Sequence, residues 1–412
     1  MENGSHTRGR KTRRTLKGFL IALLAIALLI TGLAWFIDWY CLARPPTVSG
    51  SFPILDAPLV REGDRVYLGK SWLSKKEGII RMYLTGDPFN LGCANARLTQ
   101  KYMQQQEEDL LATVHSFVPS EIKLWLLKKY VFWLNRDLPA YIPREYQLEI
   151  YGLSRGYRDP FPEIAPVYHR LLNYHAAHDI SHEVMDNPLV GCTSFAAWGP
   201  MTADGHLIVG RNLDFSPGKL FDLNKIVARV KPRQGLEFIS VAWGGMSGAV
   251  SGINEARIAV TVNAAQSSQK RRTGTPVSLV MRQVLQYAKT LEEAIEIIKN
   301  SQVFVSDCYL VACGKTSTAV IVEKTPGSCA VRRAEADYII SANHFLSGEL
   351  KNDPGNLGYM ATGTTVDRYR GMTELVQKSR GKLTPEMAAT ILRDRQVPGT
   401  ANPGYGNHAA IN

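Results

Sequence analysis

The chain has few cysteines, and no two of them have the spacing used by zinc or redox sites. Its 412 residues include only six cysteines, scattered along the sequence, which excludes a disulfide scaffold. His, Cys and carboxylate residues nowhere cluster at ligand spacing, so no metal is expected. No glycine-rich motif calls for a nucleotide. The sequence therefore predicts a protein that works without a cofactor.

The chain also lacks the features of a nucleic-acid-binding protein, although its net charge is +11. The first 17 residues carry six basic side chains and one acidic one, so the remainder is only mildly basic. No basic helix or aromatic stacking platform points to DNA or RNA. With 45% hydrophobic residues, the chain can bury a large core in one large domain or two ordinary ones.

An uncharged run from Gly18 to Ile37 follows the basic N-terminus and is long enough to span a hydrocarbon core. Trp35, Trp39 and Tyr40 stand where an outer interface would lie. Because a basic flank stays in the cytoplasm, the sequence predicts a cytoplasmic tail over residues 1–17 and a transmembrane signal anchor over 18–40. The bulk of the chain would then be extracytoplasmic, and periplasmic if the source is bacterial.

A cleavable signal peptide is the alternative interpretation of the same run. Gly32, Leu33 and Ala34 form an acceptable small-residue cleavage site, and the apolar run could serve as its hydrophobic region. The length of the run and the absence of an early break favour an uncleaved anchor.

The predicted secondary structure of the remaining chain changes at Cys192, from mainly helical to rich in strands. Residues 41–75 read as a linker and a first strand, and 76–191 as a helical segment in which apolar residues recur at three-to-four spacing. Residues 192–412 contain short β-rich runs in two blocks, separated by turn dipeptides, with helices between and after them. This order predicts an α+β architecture of stacked sheets covered by helices.

This change of predicted secondary structure coincides with a glycine-cysteine pair, Gly191 and Cys192, in NPLVGCTSFAAWG. An internal cysteine is a poor nucleophile until a base or a lowered pKa activates it. If the chain were cut before Cys192, the new α-amine could act as the base for its own thiol. Glycine fits the cleavage step because it lacks a Cβ and lets the thiol reach the preceding carbonyl.

Four downstream residues stand where they could assist this cysteine. Arg211 and Asp214 in RNLDF could flank the new terminus, with the carboxylate orienting the amine and the guanidinium holding the amine or the substrate. Asn263 ends the VTVN segment and Asn343 lies in SANH. Their side-chain amides suit oxyanion stabilisation. Each of these residues could instead have an ordinary structural role: a surface ion pair, a strand cap or a turn.

The order GCTS, RNLD, GINE with VTVN, SANH and TTVDRYR resembles the N-terminal-nucleophile (Ntn) hydrolases of the isopenicillin-N acyltransferase-like family, which includes acyl-CoA:6-aminopenicillanate acyltransferase. That family is related to choloylglycine hydrolases and N-acylethanolamine amidases. The resemblance covers roughly residues 80–395, and GDPFNLGCANARL and YQLEIYGLSRG look like the family's α-chain. No single motif is specific, but their order is.

The resemblance implies an αββα four-layer sandwich with an N-terminal helical α-chain, and autocleavage between Gly191 and Cys192. It also implies hydrolysis of an amide bond in N-acyl substrates through a Cys192 thioester, with the α- and β-chains of one precursor forming a heterodimer. Arg211, Asp214, Asn263 and Asn343 would be catalytic. Arg368 in TTVDRYR matches the family's late arginine.

Two positions depart from the family's pattern. Arg257 stands where the family usually has glycine in a hairpin, and Thr365 stands where serine often precedes the late arginine. Both departures bear on the hairpin shape and on the assignment of Arg368.

Several alternatives stay open at the level of sequence. The thioester could be resolved by water or, in an acyltransferase, by an amine or alcohol acceptor. His344 suggests a Cys/His enzyme in which imidazole activates the thiol. A membrane-anchored, non-catalytic binding protein on the same scaffold is a third possibility. Phe195, Phe215 and Trp243 are candidate substrate-binding residues and favour a lipid-like or aromatic acyl amide.

Overall fold

The N-terminal helix contains a long apolar segment. A computed structural model describes residues 5–184, 190–215 and 223–394, and helix α1 runs Ser5–Cys41. Its portion Leu16–Cys41 is long and apolar enough to cross a membrane, with a mean hydropathy of 2.7 over a window in which no residue is buried. One such helix near the N-terminus suits an anchor or a signal sequence equally.

A group of helices follows α1 in the first half of the chain. These are α2 Pro88–Phe117, α3 Glu121–Leu134, α4 Arg144–Gly156, α5 Val167–His175 and α6 Ala177–Val184. The later helices are α7 Val277–Tyr287, α8 Leu291–Asn300, α9 Pro354–Thr362, α10 Thr365–Lys378 and α11 Pro385–Leu392. Several begin where a side chain accepts a first-turn N–H group and so caps the helix. These caps are Asp87, Ser120, Thr290 and Thr384.

The strands form one large sheet and one small sheet. The strands from the first half are β1 Val60–Glu62, β2 Arg65–Leu68, β3 Ser71–Lys76 and β4 Ile79–Gly86. Those that follow are β5 Val190–Ala197, β6 Ile208–Phe215, β7 Ile226–Pro232, β8 Phe238–Ala242, β9 Ser251–Asn254, β10 Ile258–Ala265, β11 Ser306–Cys313, β12 Thr318–Lys324, β13 Cys329–Arg333 and β14 Tyr338–Ser341. The large sheet has the order β1-β2-β3-β4-β7-β8-β9-β10-β11-β12-β13, and the small sheet has the order β14-β5-β6.

Strand β4 corrects the prediction that residues 76–191 are helical. Ile80, Met82 and Leu84 are buried and alternate with more exposed neighbours, which is the period of a half-buried strand. Residues 41–75 likewise hold three strands rather than one. The sequence pattern did not reveal them because each alternating run is short. Strand β4 pairs in parallel with β7, so the large sheet contains strands from both sides of Cys192.

Separate apolar clusters cover the faces of the two sheets. Helices α7 and α8 pack on the large sheet through residues such as Val280, Leu285 and Val311. On its other side, Leu310 and Ile321 pack with Ala196 and Ile339 of the small sheet. A third cluster joins the small sheet to α10 and α11. The described residues therefore form a mixed α/β fold with sheets, as predicted.

The fully buried strand β11 accounts for two of the cysteines. Every residue of Ser306–Cys313 is buried, because both faces of this central strand are covered. Cys308 and Cys313 are free and buried. Both are therefore small core thiols.

The hairpin between β9 and β10 contains the first of the two departures from the family's pattern. Arg257 has φ +64°, in the left-handed region that glycine occupies without strain. A glycine at this position would relieve that strain, which explains why the pattern favours one. The hairpin nevertheless forms, since Ile258 begins β10 and its N–H donates to the Asn254 side chain at 2.9 Å.

Candidate active site

Cys192 lies near the start of β5, the central strand of the small sheet. The strand pairs with β6 so that Gly191 is opposite Asp214, Cys192 opposite Leu213 and Ser194 opposite Arg211. The Cys192 side chain has no solvent exposure and packs against Leu213 and Ala264. The local sequence GCTSFAA is small and apolar enough to occupy a strand that is covered on both faces.

Two side chains replace the neighbouring strand at Cys192. Strand β14 ends at Ser341, which pairs with Ser194, so no β14 residue continues the ladder to Cys192. Instead, the Asn343 Oδ1 atom accepts the Cys192 N–H at 2.8 Å, and the Arg368 guanidinium donates to the Cys192 carbonyl at 2.6 Å. Arg368 also donates to Asn343 Oδ1 at 2.7 Å. The first two bonds hold both backbone polar groups of Cys192, and the third joins the two side chains that make them.

Asn343 is itself held by two neighbours. Its Nδ2 donates to the Ala264 carbonyl at 2.8 Å, and its backbone N–H donates to the Thr365 hydroxyl at 2.8 Å. The amide orientation is therefore fixed, with the oxygen towards Cys192. Thr365 begins α10, the helix that contains Arg368, so one helix positions both partners of the cysteine.

The remaining catalytic candidates lie around the same strand pair. Arg211 donates to the carbonyls of Val250 and Val262, which ties β6 to the large sheet. Asp214 lies beside Gly191, because a Cβ added to that glycine would be 3.4 Å from its Oδ2 atom. The same Cβ would be 3.9 Å from the Arg368 guanidinium carbon. Gly191 therefore leaves open the space between an acidic and a basic group.

Asn263 is fully buried between the two sheets. Its Nδ2 donates to Ser194 Oγ at 3.0 Å and to the Ser341 carbonyl at 3.2 Å, while its Oδ1 has no hydrogen-bond partner among the described residues. In this conformation its donor is occupied by β5 and β14. Its role as an oxyanion donor stays a prediction.

Burial and nearby charges set the protonation of Cys192. Burial raises the pKa of the Cys192 thiol, Arg211 and Arg368 lower it, and Asp214 raises it. Burial is the largest of these effects, so the thiol of the intact chain is protonated near neutral pH. A base is therefore needed before this sulfur can attack a carbonyl.

His344 contacts Thr365 rather than completing a Cys/His pair. Its Nδ1 lies 2.8 Å from the Thr365 hydroxyl, and its ring packs edge-on against Tyr369. Burial, together with the positive charges of Arg332 and Arg368, lowers the pKa of His344 to about 4. The imidazole is therefore neutral, and its hydrogen bond orients the threonine that holds Asn343.

Of the three predicted substrate-binding residues, Phe195 lies away from the Cys192 side chain. Phe195 is three positions further along β5, so its side chain lies on the opposite face of the sheet. It packs with Met372 and Val376 of α10. Trp243 is buried just after β8 in the large sheet. Phe215 ends β6, and its side chain lies outside the described residues.

Thr365 is a site residue that sequence reasoning did not assign. It appeared only as a departure from the family's pattern, yet its hydroxyl bonds both Asn343 and His344. The available signal was its place three residues before Arg368, one helical turn away. In the described part of the chain, no group of three or more His, Cys, Asp or Glu residues is arranged to hold a metal ion.

The family model described as acyl-coenzyme A:6-aminopenicillanic acid acyl-transferase matches residues 201–401. The predicted family resemblance is confirmed. The matched region includes Arg211, Asp214, Asn263, Asn343 and Arg368, and it begins after Cys192.

Curated relatives and solved structures extend the comparison. An uncharacterised protein of Archaeoglobus fulgidus is 25% identical over 79% of this chain and 58% of its own length. The N-acylethanolamine-hydrolyzing acid amidase of Caenorhabditis elegans is 26% identical over 50% of this chain and 58% of its own length. The chain thus spans less than two thirds of these relatives.

Two solved structures are also similar to this chain. A Caenorhabditis elegans N-acylethanolamine-hydrolyzing acid amidase ortholog has a TM-score of 0.39 and 19% identity, over 53% of this chain and 95% of its own. A mutant of the conjugated bile acid hydrolase from Clostridium perfringens has a TM-score of 0.33 and 15% identity, over 49% of this chain and 78% of its own.

Proposed function

We propose that the protein is a self-processing amidohydrolase with an N-terminal cysteine nucleophile, which cleaves the amide bond of N-acyl substrates. The observation that carries the proposal is the arrangement of Asn343 and Arg368 around the backbone of Cys192. An ordinary buried strand residue needs only a neighbouring strand. Here a polar side chain and a buried guanidinium hold the one residue that would become the new terminus.

The first step is an acyl shift within the chain. The Cys192 sulfur attacks the Gly191 carbonyl carbon and the bond between that carbon and the Cys192 nitrogen breaks. The Asp214 carboxylate beside Gly191 would take the thiol proton and pass it to the departing nitrogen. Water then hydrolyses the Gly191 thioester and frees Cys192. The open space beside Gly191 and the nearby Asp214 carboxylate support this step, since the sulfur must approach a carbonyl of its own backbone.

The second step uses the new α-amine as a base. Asn343 Oδ1, which accepts a hydrogen bond from the Cys192 N–H in the intact chain, would accept one from that amine and so orient it. The amine takes the thiol proton, the sulfur attacks the substrate amide carbonyl, and the substrate's amine departs with a proton. Water releases the acid from the thioester. Arg211 and Arg368 favour the thiolate because both lower the pKa of Cys192.

In this proposal Asn343 positions the amine, a more specific role than oxyanion stabilisation. Its oxygen is directed to Cys192 and its nitrogen is occupied by Ala264. Asn263 would supply an oxyanion donor only after giving up its bond to Ser194. The helix and sheet clusters on both sides of the small sheet support an αββα layering as part of the same proposal.

Processing would also control access to the site. A substrate cannot reach a thiol that has no solvent exposure, so the intact chain would be an inactive precursor. Release of the segment before Cys192 would open the sulfur to an acyl amide. The N-terminal helix would hold the enzyme at a membrane, with the catalytic part outside the cytoplasm. Lipid-like acyl amides partition into membranes, so the enzyme would lie close to such substrates.

The test is intact-mass analysis of the full chain under denaturing conditions. We expect two chains, the second beginning at Cys192, and a single chain for Cys192→Ala. The matched control is Cys329→Ala, the same change at a half-buried cysteine, which should leave cleavage intact. A single unprocessed chain for the natural sequence would reject self-processing and favour a binding protein on this scaffold.

Activity is tested separately on the processed protein. N-acyl ethanolamines, N-acyl amino acids and β-lactams are offered with and without an amine acceptor. Free acid as the main product in both conditions supports hydrolysis. Accumulation of a new amide with the acceptor would show acyl transfer instead, which the description of the matching family also favours. Turnover of short polar amides alone would reject the lipid-like substrate class.

A further inference from the structure

Helix α3 exposes a continuous apolar stripe. Ile122, Leu126, Tyr130 and Trp133 follow one another at helical spacing and lie on one side of the helix. Their exposed fractions are 73%, 54%, 55% and 42%. Soluble surfaces seldom expose such a run of large side chains without a partner. We call these four residues the α3 stripe.

Polar residues border the α3 stripe rather than interrupt it. Glu121 and Lys123 are exposed on either side of Ile122. Lys128 is directed away from the stripe, since its ammonium group donates to the Ile164 carbonyl at 3.2 Å. The face opposite the stripe is therefore attached to the protein, and the stripe is the face that is left uncovered.

Helix α3 is fixed to the end of the N-terminal helix. Lys129 forms an ion pair with Asp38, and the rings of Trp133 and Tyr40 are 6.2 Å apart. Phe132 is buried against Cys41 at the same junction. The α3 stripe is thus continuous with the exposed apolar surface of α1.

We propose that α3 lies in the interface of the membrane that α1 enters, with the α3 stripe buried among lipid headgroups and upper acyl chains. The continuity with α1 indicates that lipid covers the α3 stripe. The end of an apolar helix of this length brings the helix attached to it to the bilayer surface. Tyr and Trp in the stripe have the apolar body and polar edge that suit this depth. This inference depends on the proposed anchoring of α1 in a membrane and not on the proposed catalytic activity.

The test uses the full chain reconstituted in phosphatidylcholine vesicles. A Cys192→Ala, Cys329→Ser background removes the proposed nucleophile, which processing would expose, and the half-buried native thiol; the other four cysteines are buried. An environment-sensitive fluorophore is attached at Leu126→Cys or Tyr130→Cys. Glu121→Cys, on the same helix but off the stripe, is the matched control. Leu357→Cys reports an exposed leucine on α9, far along the chain.

We expect blue-shifted emission at positions 126 and 130, and strong quenching by lipids with a quencher near the headgroup. Quenchers deep in the acyl chain should act more weakly. The labels at positions 121 and 357 should remain in water. Equal quenching at positions 126 and 121, or none at either, would overturn the proposal. A blue shift at positions 126 and 130 that increases with the protein-to-lipid ratio would also overturn it. Such a result would mean that a second copy of the chain, and not lipid, covers the α3 stripe.

Discussion

At the scale of single residues, Arg368 links the two groups that hold Cys192. Arg368→Lys should slow self-processing about 100-fold, because an ammonium group cannot reproduce the forked donation to the Cys192 carbonyl and Asn343 Oδ1. The measurement is the fraction of chain that begins at Cys192 at timed intervals.

The matched control for this change lies on the same helix. Arg370 is exposed and pairs weakly with Asp367, so Arg370→Lys should process at the natural rate. Equal rates for the two variants would show that Arg368 has no part in the chemistry. A thermal melt of each variant separates slow processing from loss of the fold.

Asp307 should make stability depend on pH. It is fully buried, neither of its carboxylate oxygens has a hydrogen-bond partner among the described residues, and burial raises its pKa from 3.8 to about 8. The native state keeps a proton that the unfolded state releases. The free energy of unfolding is therefore unaffected by this group below about pH 4 and falls as the pH rises towards about 8.

Asp307→Asn removes this ionisation and should flatten that part of the pH profile. The variant should gain about 1 to 4 kcal/mol over the natural protein at pH ~7, and nothing at low pH. Urea unfolding at several pH values measures the difference. Asp64→Asn, the same change at an exposed turn, is the matched control. Parallel profiles for the natural protein and the Asp307 variant would contradict the argument.

At the scale of elements, the crossing of α2 and α4 depends on two glycines. A Cβ at Gly92 would lie 1.8 Å from the Glu149 carbonyl oxygen, and one at Gly152 would lie 2.1 Å from that of Phe89. No side chain fits between backbones this close. Both helices would have to separate to admit even a methyl group.

Gly92→Ala should therefore lower the free energy of unfolding by about 3 kcal/mol or more. Gly358→Ala is the matched control, since it lies within α9 with no atom within 4 Å of its added Cβ. That variant should be neutral or more stable by about 1 kcal/mol, as alanine favours helix. Thermal unfolding distinguishes them, and similar melting temperatures would reject the close crossing.

At the scale of the whole molecule, the two sides of Cys192 share one sheet. Strand β4 pairs with β7 over seven residues on each strand, from Ile80 opposite Ile226 to Gly86 opposite Pro232. Leu91 and Leu98 of α2 also enter the main core cluster. Cleavage before Cys192 would leave all these interactions in place.

A processed protein should therefore stay together under native conditions. In detergent, both chains should elute as one species in size-exclusion chromatography and separate only after denaturation. Cys192→Ala, which should remain a single chain, marks the elution volume expected of the assembled form. Release of the chain that begins at Cys192 without denaturant would show that the shared sheet is too weak to hold it.

The sequence alone determined the residues that could do chemistry and many of the elements that present them. Gly191, Cys192, Arg211, Asp214, Asn343 and Arg368 were identified from motif order, and the strands after Cys192 from alternation and turn dipeptides. The apolar run that forms α1 was equally plain. These signals are local, because they depend on residue type and on spacing within a few positions.

The tertiary structure decided what each residue touches. Only the ending of β14 at Ser341 shows why Asn343 and Arg368 meet the backbone of Cys192 from elsewhere in the chain. Because side chains alternate between the two faces of a strand, Phe195 lies in the core on the face away from the Cys192 sulfur. Strand β4 pairs with β7, which is distant from it in the sequence. Contacts across a hundred or more residues depend on packing and register, which local patterns do not specify.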